Sequence, residues 1–212
     1  MNFFQDIWNV WIKNINLDLR ISLKRTIMKI GLISDTHGDV EAFEKAFEIL
    51  KDSDLIMHCG DLFYHGLFNP IKESYNPLEL SKLVYKIKKP VIFSRGNCDS
   101  EVDQLALDFN ILDPVRIFYF NENIIYLHHG HKKKDEELLD LSKKFKFNIV
   151  VSGHTHIYRI EKKENVIFVN PGSPSLPKGG NPPSVGEIDF NKNAVRVINI
   201  NSAKELLSLS IN

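Results

Sequence analysis

In the first half of the chain, short apolar runs alternate with longer segments whose apolar residues recur at helical spacing. One helical face of the first such segment carries Phe43, Ala46, Phe47 and Leu50. This alternation of buried strands with amphipathic helices is typical of an α/β domain. It predicts the order β-α-β-α-β, with strands over residues 29–34, 54–59 and 90–94 and helices over residues 40–51 and 78–88.

The second half of the chain contains mostly short strands. Polar residues 121–123 separate two apolar runs and predict a hairpin, and a helix is predicted over residues 135–145. Because the two halves cannot form one simple parallel sheet, we predict an α/β fold in which two mixed β-sheets pack as a sandwich flanked by helices. The strands predicted in this half are 115–120, 124–129, 148–152, 158–162, 166–170, 185–190 and 194–200.

Residues 1–27 precede the first predicted strand and carry no motif. Their larger apolar side chains recur at helical spacing: Phe4, Trp8, Trp11, Ile12 and Ile15. An amphipathic helix for a partner or a membrane surface is one interpretation. We favour a loosely packed extension, or residues upstream of a true start at Met28. The predicted organisation is therefore an N-terminal extension over residues 1–27 and one domain over residues 28–212.

The charge balance indicates no charged macromolecular partner. Lysine and arginine together number 27, as do aspartate and glutamate, so neither a nucleic-acid groove nor an acidic membrane surface is indicated. No apolar run reaches the roughly 18 residues of a membrane span. The two cysteines, Cys59 and Cys98, are too few for a disulfide framework. We therefore expect a cytoplasmic protein, with homo-oligomerisation left open.

Polar motifs follow five of the predicted strands, and all eight histidines lie between His37 and His156. Because the carboxyl ends of strands converge on one edge of an α/β sheet, these motifs can meet there. Their oxygen and nitrogen ligands suit Mn²⁺, Fe or Zn²⁺, and two carboxylates among several imidazoles indicate two ions. The motifs are Asp35-Thr36-His37, Gly60-Asp61, Gly96-Asn97-Cys98-Asp99, His128-His129-Gly130-His131 and Gly153-His154-Thr155-His156.

In this order the motifs resemble those of the calcineurin-like metallophosphoesterase superfamily, and residues 64–66, 95–104 and 170–182 are similar to its YfcE-type bacterial phosphodiesterases. The resemblance extends from Met28 to about Ile200. It implies the metallophosphoesterase fold and hydrolysis of a small-molecule phosphodiester by in-line attack of a hydroxide that bridges two divalent metal ions. No serine or cysteine nucleophile is required by such a reaction.

The resemblance also implies three ligands for one ion, three for the other and one bridging carboxylate: Asp35, His37 and His156; Asn97, His129 and His154; and Asp61. Relatives usually have a small hydroxyl residue at the position of His128, so the ligand is either His128 or His129. We favour His129 because it keeps the His-Gly-His spacing. Mn²⁺ is the expected metal, with Zn²⁺, Fe and Ni²⁺ as alternatives.

Two neighbours of the ligands are candidates for contact with substrate. Arg95 either clamps a phosphate oxygen or forms an ion pair with Asp99 or Glu101. His65 either binds phosphate or closes a loop.

Three further residues lie close to the expected ligands in sequence. His131 is expected beside the ligands, orienting one of them or touching substrate. His58 is expected to be packed and hydrogen-bonded. Cys98 stands where many relatives have a histidine that protonates the leaving group. The catalytic candidates are thus Asp61, His65, Arg95, Asn97, Cys98 and His131.

Alternatives to a phosphodiesterase remain. A phosphomonoesterase or nuclease of the same superfamily would share the metals, and the scaffold subunit of retromer has the fold but works through protein contacts. The complete ligand set argues against a purely scaffolding role.

Overall fold

The computed structural model describes residues 29–120 and 122–212. Its strands, in chain order, are β1 (Lys29–Ile33), β2 (Leu55–His58), β3 (Val91–Phe93), β4 (Val115–Phe120), β5 (Asn123–His128), β6 (Ile149–Val151), β7 (Arg159–Lys163), β8 (Val166–Asn170), β9 (Ser184–Asp189), β10 (Ala194–Asn199) and β11 (Glu205–Ser210). Its helices are α1 (Val40–Ile49), α2 (Pro77–Lys86), α3 (Glu101–Leu105) and α4 (Asp135–Phe145).

The strands form two mixed sheets. One has the order β11-β10-β9-β1-β2-β3, and the other has the order β4-β5-β6-β8-β7. Within the first sheet β1, β2 and β3 are parallel, and within the second β5, β6 and β8 are parallel. Each sheet therefore has a parallel block whose carboxyl ends can carry ligands to a common edge.

The core lies between the two sheets, because alternate residues of each strand face opposite sides. Ile30 and Leu32 of β1 pack in one buried cluster with residues of the other sheet, such as Leu127 and Val151. Ile33, also on β1, belongs instead to a cluster with residues of α1. On the outer side of the second sheet, α4 packs against β5, β6 and β8. The result is a four-layer arrangement with helices outside both sheets.

Local sequence fixes where the helices begin. The Asp39 side chain accepts a hydrogen bond from the Ala42 amide at the start of α1, and Asn76 does the same for Glu79 at the start of α2, where Pro77 follows. Ser100 and Asp103 form a capping box at α3.

The predicted α/β sandwich is confirmed, and each predicted strand and helix is present with ends that differ by at most two residues. Two elements escaped prediction, the single-turn helix α3 and the edge strand β11. The predictions for residues 1–27 lie outside the described residues. Across the described ranges, no helix combines the length and apolar character needed to cross a membrane.

Candidate metal centre

The residues predicted as ligands follow the carboxyl ends of five parallel strands. Asp35 and His37 come after β1, Asp61 after β2, and Asn97 after β3. His129 follows β5, and the pair His154 and His156 follows β6. The packing of the two sheets brings both groups to one edge of the sandwich.

Five of these residues have a left-handed backbone conformation, which non-glycine residues seldom adopt. Their φ values are 55° for Asp35, 49° for His37, 57° for Asp61, 67° for His154 and 60° for His156. Such strain persists only where the surrounding structure enforces it, and it concentrates at functional sites. The sharp turns after the strands therefore have a functional interpretation.

Three of the histidines have a defined tautomer. The Nδ1 atom of His37 lies 2.7 Å from the Tyr64 carbonyl oxygen, that of His129 lies 2.8 Å from the Cys59 carbonyl, and that of His156 lies 2.6 Å from the Leu176 carbonyl. A carbonyl oxygen only accepts, so each Nδ1 carries a proton and donates it. In its neutral form each ring therefore has its lone pair on Nε2, as a metal ligand requires.

These Nε2 atoms face one another and the carboxylates. His37 Nε2 lies 3.3 Å from His156 Nε2, and His156 Nε2 lies 3.3 Å from Asp35 Oδ1. That oxygen is buried and has no hydrogen-bond partner among the residues that the structure describes. Because facing lone pairs and an unpaired buried carboxylate oxygen repel without a positive charge between them, the arrangement fits a bound cation.

Asp61 lies between the two halves of the cluster. Its Oδ2 atom is 3.8 Å from His37 Nε2 and 3.3 Å from His129 Nε2, and its Oδ1 atom accepts a hydrogen bond of 2.7 Å from the Cys98 amide. A carboxylate in this position can reach a cation on either side.

The electrostatics of the cluster favour positive charge. Burial, reinforced by the charge of Asp61, raises the pKa of Asp35 to about 7. Burial alone would lower the pKa of His129, but hydrogen bonding to Asp61 and the charges of both carboxylates raise it to about 9. Burial alone would raise the pKa of Asp61, yet His129 holds it well below its usual range. The carboxylates thus attract a cation, whether a proton on His129 or a metal ion.

Asn97 and His154 stand at the solvent side of the cluster, and both are exposed. Asn97 Oδ1 lies 3.1 Å from His129 Nε2. The His154 amide donates to Asp35 Oδ2 at 2.9 Å, while its ring centroid lies 5.2 Å from that of His129. The structure therefore places both beside His129, although the His154 ring converges less closely than the other predicted ligands.

Two glycines allow the turns to approach so closely. A Cβ atom at Gly96 would collide with Asp61 Oδ1, and one at Gly153 would collide with the Ser34 hydroxyl and, at 2.6 Å, with Asp35 Oδ2. Any side chain at either position would displace a predicted metal ligand.

The sequence suggested Asp99 only as an ion-pair partner of Arg95, but its carboxylate joins two of the turns. Asp99 accepts hydrogen bonds from the amides of Asp61 (2.8 Å), Leu62 (2.9 Å) and Gly96 (2.7 Å). It therefore fixes the turn that carries Asp61 against the turn that carries Asn97. The position of Asp99 within the Gly-Asn-Cys-Asp motif was the available indication.

The loop after β8 supports the site in a similar way. Asn170 donates to the Gly153 carbonyl at 2.8 Å, and the Ser173 hydroxyl donates to the Asp35 carbonyl at 2.7 Å. This loop belongs to residues 170–182, for which the sequence indicated a family resemblance but no function.

The structure separates His129 from His128. His129 joins the cluster, whereas His128 lines a neighbouring cavity, and its Nε2 atom has no hydrogen-bond partner within residues 29–120 and 122–212. His58 is packed and hydrogen-bonded, as predicted: its Nδ1 accepts from the Gly60 amide at 3.2 Å and its Nε2 lies 2.8 Å from the Thr36 hydroxyl. Burial lowers the pKa of His58 to about 3, which keeps the ring neutral.

A cavity of about 700 Å³ opens over the cluster and is lined by Arg95 and Cys98, a volume typical of small-molecule sites. The Arg95 Nε atom donates to the Asp99 backbone carbonyl at 3.3 Å, so the alternative of an ion pair with the side chain of Asp99 or Glu101 is wrong for the described residues. Burial, followed by the charge of Asp61, raises the pKa of the Cys98 thiol to about 12.

Two of the catalytic candidates, His65 and His131, are not among the described residues that line this cavity. The His65 ring packs between Tyr64 and Tyr75, at centroid distances of 4.8 and 5.2 Å, which favours the loop-closing interpretation. The His131 ring lies 5.4 Å from that of His129, so His131 is beside a predicted ligand, as expected.

The cluster, the fold and the sequence define one class of protein. Residues 28–193 match the calcineurin-like phosphoesterase superfamily domain, and the chain belongs to this superfamily, whose members use divalent metal ions.

Among individual relatives, the phosphodiesterase YfcE of Escherichia coli strain K12 is 35% identical over 188 residues, which cover 88% of this chain and 100% of the relative. Its solved structure has a TM-score of 0.78 and covers 87% of this chain and 100% of that one. The phosphodiesterase MJ0936 of Methanocaldococcus jannaschii is 30% identical and covers 81% of this chain and 98% of its own. Vps29 of Entamoeba histolytica, solved with zinc, has a TM-score of 0.59 at 18% identity over 87% of this chain and 100% of its own, a likeness of fold alone.

Proposed function

We propose that the protein is a phosphodiesterase that depends on two divalent metal ions. The observation that carries the proposal is the set of Nε2 lone pairs, fixed by backbone carbonyls, that face the carboxylates of Asp35 and Asp61. The relatives named phosphodiesterases, at 35% and 30% identity, support the reaction class.

Distances support a division of the ligands into two groups. Asp35, His37 and His156 offer ligand atoms within 4.8 Å of one another and would hold one ion. Asp61 lies within reach of both groups and would be shared. The second ion would be held, beside Asp61, by Asn97, His129 and His154, a set supported by the close approach of His129 to Asp61 and Asn97.

When bound, the two ions supply Lewis acidity toward the phosphoryl oxygens and lower the pKa of a water molecule toward neutrality. The protein positions the reactants. Its carboxylates would orient the attacking water, and the cationic side chains of Arg95 and Lys178, which line the cavity, would bind phosphoryl oxygens and stabilise the charge that develops on them.

We propose Mn²⁺ as the preferred metal because carboxylate, amide and imidazole ligands together suit a borderline-hard ion. We also propose a cytoplasmic location, which the two free thiols of Cys59 and Cys98 support.

The experiment compares bis(4-nitrophenyl) phosphate with 4-nitrophenyl phosphate on protein stripped by chelator and then restored with Mn²⁺, Zn²⁺, Fe²⁺ or Ni²⁺. We expect no turnover after stripping, the best recovery with Mn²⁺, and faster turnover of the diester. Faster turnover of the monoester would favour a phosphomonoesterase, and metal-loaded protein that hydrolyses neither ester would favour a scaffold.

A further inference from the structure

The loop formed by residues 64–69 is held against the metal centre at its base. His37 donates from Nδ1 to the Tyr64 carbonyl at 2.7 Å, and Asn69 donates to the His65 carbonyl at 2.8 Å. Gly66, with φ of 77°, lies so near the Asn97-Cys98 turn that a Cβ atom there would be 3.4 Å from Cys98 Sγ. The tip of this loop is thus positioned beside the proposed ligands.

The tip presents apolar side chains to solvent. Leu67 is 80% exposed and Phe68 is 96% exposed, and Val102, in the first turn of α3, is 73% exposed. All three line the cavity over the metal centre; we call them the apolar rim. Exposed apolar groups that cluster at a cavity are characteristic of binding sites.

The same cavity contains charges suited to one phosphate group. No carboxylate of residues 29–120 or 122–212 forms an ion pair with Arg95 or Lys178, so both cations are available to a phosphoryl group. Glu101 also lines the cavity, beside Val102 of the apolar rim. It would repel a second anionic group placed there, which disfavours polyphosphates and other multiply charged substrates.

We propose that the apolar rim is a specificity subsite that binds an aromatic ester group of a mononegative phosphodiester, with the phosphate between the rim and the metal ligands. The proposal rests on the proposed function. An aromatic group is favoured because Phe68 and the half-exposed ring of Tyr64 both line the cavity, and rings gain from stacking beyond the burial of apolar area. An aryl ester and a nucleobase ester would share this chemistry.

The test uses two mononegative diesters that differ by one ring, dimethyl phosphate and methyl phenyl phosphate. Each is measured as a competitor of bis(4-nitrophenyl) phosphate hydrolysis and, by titration calorimetry, as a ligand of the metal-loaded protein. We expect methyl phenyl phosphate to bind about tenfold more tightly. Phe68→Ala should reduce this preference to about twofold without loss of fold, because the Phe68 side chain is almost fully exposed.

Leu105→Ala is the matched control, because Leu105 is 89% exposed on α3 yet does not line the cavity. The preference of this variant for methyl phenyl phosphate over dimethyl phosphate should equal that of the native protein. Equal binding of the two diesters to the native protein, or an unchanged preference in Phe68→Ala, would overturn the subsite. If Phe68→Ala converted a dimer into a monomer in the ultracentrifuge and kept the preference, the rim would be an interface between copies. Failure of the metal-loaded protein to hydrolyse any diester would count against the proposed function instead, since calorimetry reports on the subsite independently.

Discussion

We propose that Asp61 links the two halves of the metal centre. Its Oδ2 atom is within 3.8 Å of ring nitrogens from both sheets, and an amide at this position would be neutral and a poor bridge. We expect Asp61→Asn to lose at least one bound ion and to lower kcat by more than ~100-fold. Substitution of residues that only support metal ligands already lowers metal affinity or activity by about 10–100-fold. Metal content by mass spectrometry and turnover of the aryl diester provide the measurement.

The control for this substitution is Asp140→Asn, which removes a carboxylate whose side chain is 81% exposed on α4. It should change neither metal content nor kcat. An Asp61→Asn variant with two bound ions and native turnover would show that Asp61 is not the bridge.

We propose that Cys98 sets the rate at which esters with poor leaving groups are hydrolysed. Its side chain lines the cavity, but a thiol is a weaker acid than an imidazolium. Protonation of the leaving group by a general acid typically raises the rate by roughly 10²- to 10⁴-fold. We therefore expect a steep dependence of rate on leaving-group pKa, and a selective gain on basic leaving groups in Cys98→His.

A series of aryl diesters compares the native protein with Cys98→His directly. If the native dependence were as shallow as that of the variant, another residue would already supply the proton. His131, beside His129, would then be examined before His65, whose ring packs between two tyrosines.

We expect the function to depend on how firmly the turns after β2 and β3 are joined. The Asp99 carboxylate accepts hydrogen bonds from three backbone amides. In Asp99→Asn, the side-chain NH₂ group would face one or more of these amides and could not accept their hydrogen bonds. An unsatisfied buried group costs about 1–3 kcal/mol. We expect a loss of that size in the free energy of unfolding, and metal affinity weakened about 10- to 100-fold.

Urea unfolding and metal titration measure these two effects, with Asp108→Asn as an exposed carboxylate control in the same segment. If Asp99→Asn matched the control in both measurements, the turns would be joined by other contacts.

The sequence predicted the elements whose hydrophobic period is strong, and it missed two whose formation depends on context. Helix α3 is five residues long and has no buried side chain, so it has no apolar period, although Ser100 and Asp103 form a recognisable cap. Strand β11 is mostly exposed and, in the part of the chain that the structure describes, pairs with β10 alone. Its conformation follows from that pairing and not from its own composition.

Most of the site, like most of the secondary structure, could be predicted from the sequence. The residue types that follow the strands are typical metal ligands, so the cluster of Asp35, Asp61 and the histidines could be anticipated. The role of Asp99 could not, because it arises only when two turns distant in sequence meet. The choice between His128 and His129 likewise required knowledge of which ring faces the carboxylates.

For the whole molecule, the remaining prediction concerns the N-terminal extension. The matched domain begins at Met28, and residues 1–27 carry none of the proposed ligands. We expect a chain that starts at Met28 to keep its kcat/KM within about twofold and its thermal midpoint within ~2 °C, which corresponds to less than about 1 kcal/mol at this size. A truncated chain that failed to fold, or lost most of its turnover, would show that the extension packs on the domain.

If this edge of the sandwich holds two metal ions, as we propose, the ions bound by each chain can be counted. Protein stripped by chelator is titrated with Mn²⁺ while bound metal and turnover of the aryl diester are followed together. We expect turnover to rise to its maximum as the second ion binds, with a final content of two ions per chain. Full turnover in metal-free protein would contradict the proposal.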